Sequence, residues 1–122
     1  MIVVAGEALI DRMVYPDGRV GEGPGGGPYN VARTIARLGG EVAFLGRLST
    51  DDRGRRLQSG LHEDGVDLRW TATTDDPTTL AEATIDGNGN ATYTFTLEGT
   101  SAADLSPDAL HAALAVRPAV VH

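Results

Sequence analysis

The chain has 122 residues, 41% of them hydrophobic, and its 17 acidic and 10 basic residues give a net charge of −7. All ten basic residues are arginine, and they form no basic cluster, which argues against nucleic acid and anionic membranes as partners. Cysteine is absent, which excludes disulfides, thiolate catalysis and cysteine metal sites.

The apolar segments are too short to cross a lipid bilayer. Runs such as MIVVA (1–5) and AALAV (112–116) are a few residues long, whereas a membrane-spanning helix needs about 20 apolar residues. No basic segment precedes an apolar one in the order of a secretory signal peptide. We therefore expect a cytoplasmic protein with no membrane partner and no nucleic-acid partner.

Strand patterns in the first half of the chain belong to a buried sheet and a small hairpin. Residues 2–10 form an apolar run that predicts one strand buried on both faces, with Asp11 at its carboxyl end. Residues 13–20 flank a Pro-Asp-Gly turn and predict a hairpin. Residues 41–48 predict a second buried strand.

Helix patterns alternate with these strands. After a glycine-rich segment one helical face is apolar, and its members are Val31, Ala32, Ile35, Ala36 and Leu38. Gly39 and Gly40 end this helix, and capping residues open a second helix within 49–65. A third helix begins at 106–108, where Pro follows Ser. The alternation predicts an α/β fold with a parallel sheet.

In the second half of the chain, the spacing of apolar residues changes to the two-residue alternation of a β-hairpin. Residues 78–86 and 91–99 flank a Gly-Asn-Gly-Asn turn, and the second arm alternates apolar residues with threonines. The apolar members are Tyr93, Phe95 and Leu97. This hairpin predicts a second, small β layer beside the main sheet. The final residues, 117–122, have the pattern of the opening of another buried strand.

The glycine-rich segment over 21–27 has several possible uses. A P-loop and a kinase-type glycine loop both need a lysine, and the chain has none. A dinucleotide site needs its glycines directly after the first strand, but here a hairpin intervenes. Two interpretations stay open. The bare backbone approaches a small polar ligand, with Asn30 and Asp11 binding sugar hydroxyls, or Asn30 caps the helix and the glycines close a tight turn.

Two segments together contain a set of residues at characteristic spacings. They are 3–14, VVAGEALIDRMV, and 25–54, GGGPYNVARTIARLGGEVAFLGRLSTDDRG. The positions that carry this pattern are Gly25, Gly26, Pro28, Asn30, Ala32, Leu38, Gly39, Gly46, Asp51, Asp52 and Gly54. This pattern resembles the amino-terminal part of PfkB/ribokinase-like carbohydrate kinases, and the resemblance extends over 1–122.

The resemblance implies a fold and its division into parts. It implies a ribokinase-like three-layer α/β sandwich with a small β-sheet lid, of which the chain holds only the N-terminal part. Residues 1–12, 23–69 and 101–122 would form the incomplete α/β core. Residues 13–22 and 70–100 would form the β lid.

The resemblance also implies an activity and a site. The activity is ATP-dependent phosphorylation of a sugar hydroxyl, with Mg²⁺ bridging the nucleotide phosphates. The implied substrate-binding residues are Asp11, Gly25, Gly26, Gly27 and Asn30. The implied lid residues over the substrate are Leu80, Tyr93 and Phe95. Because the lid of this family often forms a dimer contact, a homodimer through the lid is also expected.

The substrate class and the catalytic residues depend on what this chain lacks. Sugar-acid kinases of the family often carry an arginine in the lid strand, and Leu97 stands at that position. This favours a neutral sugar such as fructose, with a 2-keto-3-deoxygluconate-type kinase as an alternative. The family's catalytic base lies in a G-A-G-D segment that the chain does not contain. We therefore assign no catalytic residue and no metal ligand here.

Two hypotheses follow from this absence. In the first, the chain is the amino-terminal portion of a sugar kinase and is inactive on its own. In the second, it is a natural half-protein that binds sugar or dimerises without catalysis.

Overall fold

A computed structural model describes residues 1–122, with nine strands and three helices. The strands are β1 (Ile2–Ala5), β2 (Leu9–Val14), β3 (Val20–Gly25), β4 (Val42–Leu45), β5 (Arg47–Ser49), β6 (Ala72–Thr74), β7 (Leu80–Ile85), β8 (Ala91–Thr96) and β9 (Val120–Val121). The helices are α1 (Gly27–Arg37), α2 (Asp52–Glu63) and α3 (Pro107–Ala115). None of them has the length and apolar character of a membrane-spanning helix.

The core sheet is parallel, has the order β4-β1-β9, and carries helices on both faces. Val4 and Phe44 point to one side, where they are buried in a cluster with apolar residues of α1 and α2. Val3 and Leu45 point to the other side, where Ala113 of α3 covers them. These layers confirm the predicted α/β class.

A second sheet, which we call the lid sheet, has the order β3-β2-β7-β8. The two hairpins β2–β3 and β7–β8 are antiparallel, and β2 and β7 join them in parallel. Alternate residues of a strand share a face, so the register defines two surfaces. The Asp11 face carries Asp11, Met13, Ala81, Ala83, Tyr93 and Phe95. The Arg12 face carries Arg12, Leu80, Glu82, Thr94 and Thr96.

The prediction of single strands over 2–10 and 41–48 is wrong, because each run breaks at a glycine. β1 ends before Gly6, whose φ is 144°, and β4 ends before Gly46. A Cβ built on Gly46 would lie 2.7 Å from the Gly6 carbonyl oxygen, so the two breaks touch at the carboxyl ends of the strands. Beyond the breaks, β2 and β5 enter other sheets. Asp11 consequently lies inside the lid sheet rather than at the end of the first strand.

The predicted helices are confirmed, with one error in the apolar face of α1. Gly39 ends α1 with a φ of 83°, as predicted. Leu38, however, is 82% exposed, because it stands at the C-cap, where the helical periodicity no longer holds. Tyr29 is fully buried instead and fills the space between α1 and α2. Leu57 is buried on α2 as expected.

The carboxylate of Asp51 joins helix α2 to the start of lid strand β7. It caps α2 by accepting a hydrogen bond from the Gly54 amide at 2.7 Å. It also accepts from the Thr78 amide at 2.9 Å and from the Thr78 hydroxyl at 2.5 Å. Burial raises the pKa of Asp51, but these hydrogen bonds outweigh it and lower the pKa to about 2. The charged carboxylate is therefore a fixed part of the junction between core and lid.

An ion pair connects the Arg12 face of the lid sheet to α2. Arg53 of α2 donates two hydrogen bonds to Glu22 of β3, at 2.6 and 3.1 Å. The hydrogen bond from Arg53 lowers the pKa of Glu22 below its usual value. Arg12 lies 3.4 Å from the same Glu22 carboxylate and also pairs with Glu82. This face is therefore turned toward α2, which leaves the Asp11 face for other contacts.

Buried hydroxyl groups form a hydrogen-bond network where the chain leaves the lid sheet and returns to the core. The hydroxyls of Thr79 and Thr100 lie 2.6 Å apart, and the Ser101 hydroxyl accepts from the Thr79 amide at 3.2 Å. Arg47 of β5 donates to the carbonyl oxygens of Ser101 and Thr100, at 2.9 and 3.1 Å. Because buried polar groups need partners, this network holds the base of the lid in one arrangement.

Candidate functional site

A cavity of about 550 Å³ lies between the core sheet and the lid sheet. Gly6 and Glu7 line it from the carboxyl end of β1, and Phe95 and Leu97 line it from the lid. Small and apolar residues within 102–105 complete the wall. Open α/β sheets bind ligands at this end of their strands, so the cavity is the candidate site.

A second pocket, a groove of about 300 Å³, lies on the Asp11 face of the lid sheet. It is lined by Asp11, Arg12 and Met13 of β2 and by Ala81, Ala83 and Tyr93 of the second hairpin. Tyr93 and Phe95 are 77% and 53% exposed, so both rings are available for contact. An aromatic strand and a carboxylate therefore share one open surface.

Asp11 lies over the glycine-rich strand. A Cβ built on Gly25 would overlap the Asp11 carboxylate, so only glycine leaves room for that side chain. The carboxylate itself is exposed and takes part in no hydrogen bond or ion pair within the chain. An ionised carboxylate can accept several hydrogen bonds, and all of them are open to a ligand here.

Gly26 and Gly27, in the turn that leads into α1, make contacts within the protein. Gly26 has a φ of 102°, and a Cβ there would lie 2.8 Å from the Glu7 carbonyl oxygen. Its bare backbone therefore accommodates another part of the protein. Gly27 is exposed, and its amide donates to Glu7 Oε1 at 3.1 Å. Asn30 is exposed as well and lies three residues beyond Gly27, on the same side of the helix.

The interpretation of Asn30 as a helix cap is wrong. Gly26 occupies the N-cap position. Because glycine has no side chain, this position provides no side-chain cap for the helix. Asn30 is the fourth residue of α1, and its backbone amide donates to the Gly26 carbonyl oxygen at 3.0 Å. Its side-chain amide makes no hydrogen bond within the chain and is free to bind a ligand.

The structure separates the three residues predicted to cover the substrate. Tyr93 and Phe95 lie on the Asp11 face, where Phe95 lines the cavity and Tyr93 lines the groove that also contains Asp11. Leu80 lies on the Arg12 face and packs against the core cluster. The reason is the alternation of side chains along β7, which puts Ala81 and not Leu80 next to Phe95.

Glu7 is the site residue that the sequence patterns did not identify. It follows the first strand, lines the cavity and accepts from the first amide of α1. A signal was present, because Glu7 is a charged residue inside an otherwise apolar run and directly follows Gly6.

The residues of this chain do not fit a phosphate cradle or a metal site. Glu7 already occupies the N-terminal amide of α1, and its negative charge would repel a phosphate placed there. No group of three or more histidine, aspartate or glutamate side chains converges in a way that could hold a metal ion.

A separate depression of about 340 Å³ lies on the outer surface of α2. Its lining is polar apart from Leu68, and it includes Arg55, Ser59 and His62. It contains no unusual backbone and none of the predicted site residues. We therefore place the candidate site at the lid.

Comparison with known proteins identifies the family. A model of the pfkB family of carbohydrate kinases matches residues 1–121 of the chain. The chain belongs to this family. Within it, the chain is 34% identical over 110 residues to a fructokinase of Klebsiella pneumoniae, which covers 89% of this chain and 36% of that protein. It is 37% identical over 102 residues to a fructokinase of Escherichia coli, covering 84% and 33%.

Solved structures of PfkB-type kinases have the same fold. The crystal structure of a fructokinase from Xylella fastidiosa matches with a TM-score of 0.74 at 32% identity, over 83% of this chain and 34% of that one. Aminoimidazole riboside kinase from Salmonella enterica matches with a TM-score of 0.70 at 30% identity, over 88% and 34%. These matches confirm the ribokinase-like fold class. The chain spans about a third of the length of these relatives.

Proposed function

We propose that this chain supplies the sugar-binding half and lid of an ATP-dependent, fructokinase-like sugar kinase. The observation that carries the proposal is the unpartnered Asp11 carboxylate, held over Gly25 on the open face of the lid sheet. A second free polar group is the side-chain amide of Asn30, which is exposed on the first turn of α1. Similarity to fructokinases supports the same conclusion.

The chemistry of these groups suits a polyol. A carboxylate accepts hydrogen bonds from two neighbouring hydroxyls, and the amide of Asn30 both donates and accepts. Tyr93 and Phe95 provide an apolar surface for the C–H face of a sugar ring. A sugar covered in this way is shielded from water, which would otherwise compete as the acceptor of the phosphoryl group.

The charges around the cavity favour a neutral sugar over a sugar acid. Glu7 is its only charged lining residue, and Leu97 stands where an arginine would pair with a substrate carboxylate. Arg12 lines the groove, but its guanidinium is paired with Glu22 and Glu82. A neutral sugar such as fructose is therefore the proposed substrate, and a 2-keto-3-deoxygluconate-type acid is the alternative.

The proposal includes ATP as the phosphoryl donor, with Mg²⁺ on its phosphates. The Xylella fastidiosa fructokinase has been solved with ATP bound, and it is 32% identical to this chain. In this chain, however, neither a metal site nor a phosphate cradle is available, and the G-A-G-D segment is absent. We infer that the chain alone is inactive. Use of ATP also fits the expected cytoplasmic location.

A homodimer through the lid is a further part of the proposal. The edge strand β8 exposes Tyr93 and Phe95, and Leu97 beyond it is 40% exposed. An apolar stripe on an edge strand is a surface that a second copy can cover. Light scattering of the purified protein measures this directly.

The test of the proposed function uses the complete gene product. Its intact mass is measured first, and release of ADP from ATP is then measured with D-fructose. Asp11→Asn should lower kcat/KM for D-fructose by about a hundredfold, because it removes a charge-assisted acceptor of substrate hydroxyls. Glu41→Gln is the matched control, since Glu41 is 86% exposed at the opposite end of the core sheet.

The outcomes separate the two hypotheses. ADP release that depends on D-fructose and on Asp11 supports the kinase. Binding of D-fructose without ADP release, in a protein of about the calculated 12.7 kDa, supports the non-catalytic half-protein. A monomeric protein that neither binds nor phosphorylates any sugar, neutral or acidic, overturns both.

A further inference from the structure

Glu7 makes two contacts with the turn that leads into α1. Its Oε1 accepts the Gly27 amide hydrogen bond at 3.1 Å. Its carbonyl oxygen lies against the bare backbone of Gly26. The preceding Gly6 packs on Pro28, because a Cβ built on Gly6 would lie 2.5 Å from Pro28 Cγ. The Gly6-Glu7 link and the 26–28 turn therefore fit together as one unit.

Glu7 also replaces a cap that α1 lacks. Helix N-termini leave several amides without partners inside the helix, and a residue at the N-cap usually supplies a side chain for them. Gly26 has no side chain to do so. The carboxylate of Glu7 reaches across from the end of β1 and takes that role, with its negative charge at the positive end of the helix.

Glu7 also lines the candidate sugar cavity and is its only charged lining residue. No arginine or histidine side chain lines that cavity to balance it. A like charge placed a few ångströms away in a partly solvated cleft is repelled strongly enough to change affinity by about tenfold. An anionic sugar would meet this repulsion, and a neutral sugar would not.

We propose that Glu7 is a positioning residue for the sugar-binding turn and sets the preference of the site for neutral over anionic sugars. This inference rests on the proposed function. It assigns two separable roles to one side chain: the hydrogen bond to Gly27 holds the turn, and the charge discriminates against acids.

The test compares two ligands that differ at one carbon. D-fructose and 2-keto-D-gluconate share the same keto and hydroxyl pattern, but the acid carries a carboxylate where fructose carries a hydroxymethyl group. Their dissociation constants are measured by calorimetry on the complete gene product, for wild type, Glu7→Gln and Glu7→Ala. The control variant is Glu41→Gln, which removes an exposed charge at the other end of the sheet.

The two roles predict different results. Glu7→Gln keeps an acceptor for the Gly27 amide, so its affinity for D-fructose should stay within about threefold, while its preference over the acid should fall at least about fivefold. Glu7→Ala loses the acceptor too, so its affinity for D-fructose should fall by about tenfold. In wild type, high salt should reduce the preference, because exposed charges are screened.

Several outcomes would overturn the inference. An unchanged preference in a folded Glu7→Gln protein removes the role of the charge. If that variant does not fold, the salt dependence of wild type decides instead. A preference of wild type for D-fructose over the acid that does not change with salt also removes the role of the charge. Equal affinity of Glu7→Ala and wild type for D-fructose removes the positioning role. Wild type that binds neither sugar overturns the proposed function itself, and Glu7 then has no such role.

Discussion

Asp51 offers a direct test of how the lid is attached to the core. Its carboxylate accepts three hydrogen bonds, one from Gly54 in α2 and two from Thr78 at the start of β7. In Asp51→Asn, the side-chain oxygen at the Oδ1 position still accepts from the Gly54 amide and the Thr78 hydroxyl. The new amide group, however, faces the Thr78 amide, so that two donors meet.

The magnitude follows from the pKa of Asp51, which falls from 3.8 to about 2 in the folded protein. A folded-state pKa below the unfolded value means that the carboxylate stabilises the fold above the unfolded pKa. That contribution is about 2 kcal/mol near pH 7. It is lost as the pH falls from the unfolded pKa through the folded one.

Urea unfolding followed by circular dichroism measures this contribution. Near neutral pH, Asp51→Asn should lower the free energy of unfolding by about 2 to 3 kcal/mol. Near pH 2 the difference between wild type and variant should shrink by about 2 kcal/mol. At that pH the wild-type carboxylate is almost fully protonated in the unfolded chain and about half protonated in the folded protein. Asp52→Asn is the matched control, since the neighbouring Asp52 side chain is 96% exposed and should change stability little.

A difference between wild type and Asp51→Asn that is the same at both pH values would contradict a stabilising role of the Asp51 charge. It would mean that the geometry of the side chain, and not its charge, joins α2 to the lid. A large effect of Asp52→Asn would refute it as well, because exposure would then be no guide to the contribution of these carboxylates.

Three further changes test the backbone and packing assignments. Gly26→Ala should lower the melting temperature by several degrees and weaken sugar binding, because φ is 102° and a main-chain oxygen lies 2.8 Å from the new Cβ; Gly23→Ala, with open space around it, should leave the melting temperature unchanged. Gly54→Ala should destabilise by more than about 2 kcal/mol, since its Cβ would overlap the Ser49 carbonyl oxygen. Leu38→Gln should be neutral in the same thermal melt, because that side chain is 82% exposed; strong destabilisation would restore Leu38 to the core.

Much of the fold was predictable from local chemistry. The starts of α2 and α3 carry capping side chains, Asp51 and Ser106, and both cap as expected. The turn around Gly18 has the positive φ that the Pro-Asp-Gly sequence indicates. The β7–β8 hairpin places its apolar and threonine residues on opposite faces, because alternation fixes the face of each side chain.

The strand breaks were harder to predict, because hydrophobic periodicity cannot distinguish one long strand from two strands in different sheets. Gly6 and Gly46 each interrupt an apolar run, and a glycine inside a strand pattern is a sign of a break or a close approach. Whether a glycine marks a strand break or a close approach depends here on the contact between Gly6 and Gly46. The two residues are 40 positions apart, so the sequence does not show that they are in contact.

Residue types indicate some members of the candidate site, whereas others depend on contacts between segments that are distant in the sequence. Residue types that bind sugars identify Asp11 and Asn30, and both have free polar groups in the structure. The role of Glu7 depends on a hydrogen bond to a turn 20 residues away in the sequence, which only the folded chain brings near. The position of Leu80 depends on the register of β7, which hydrophobicity alone does not determine.

The proposed location of the sugar is tested by titrating ¹⁵N-labelled protein with D-fructose and following the amide chemical shifts. A sugar bound at the lid should give saturable shifts at Asp11, across the 25–30 turn and along β8. Shifts confined to the depression on the outer face of α2, around Ser59 and His62, would contradict it. So would the absence of any shift at sugar concentrations that support ADP release.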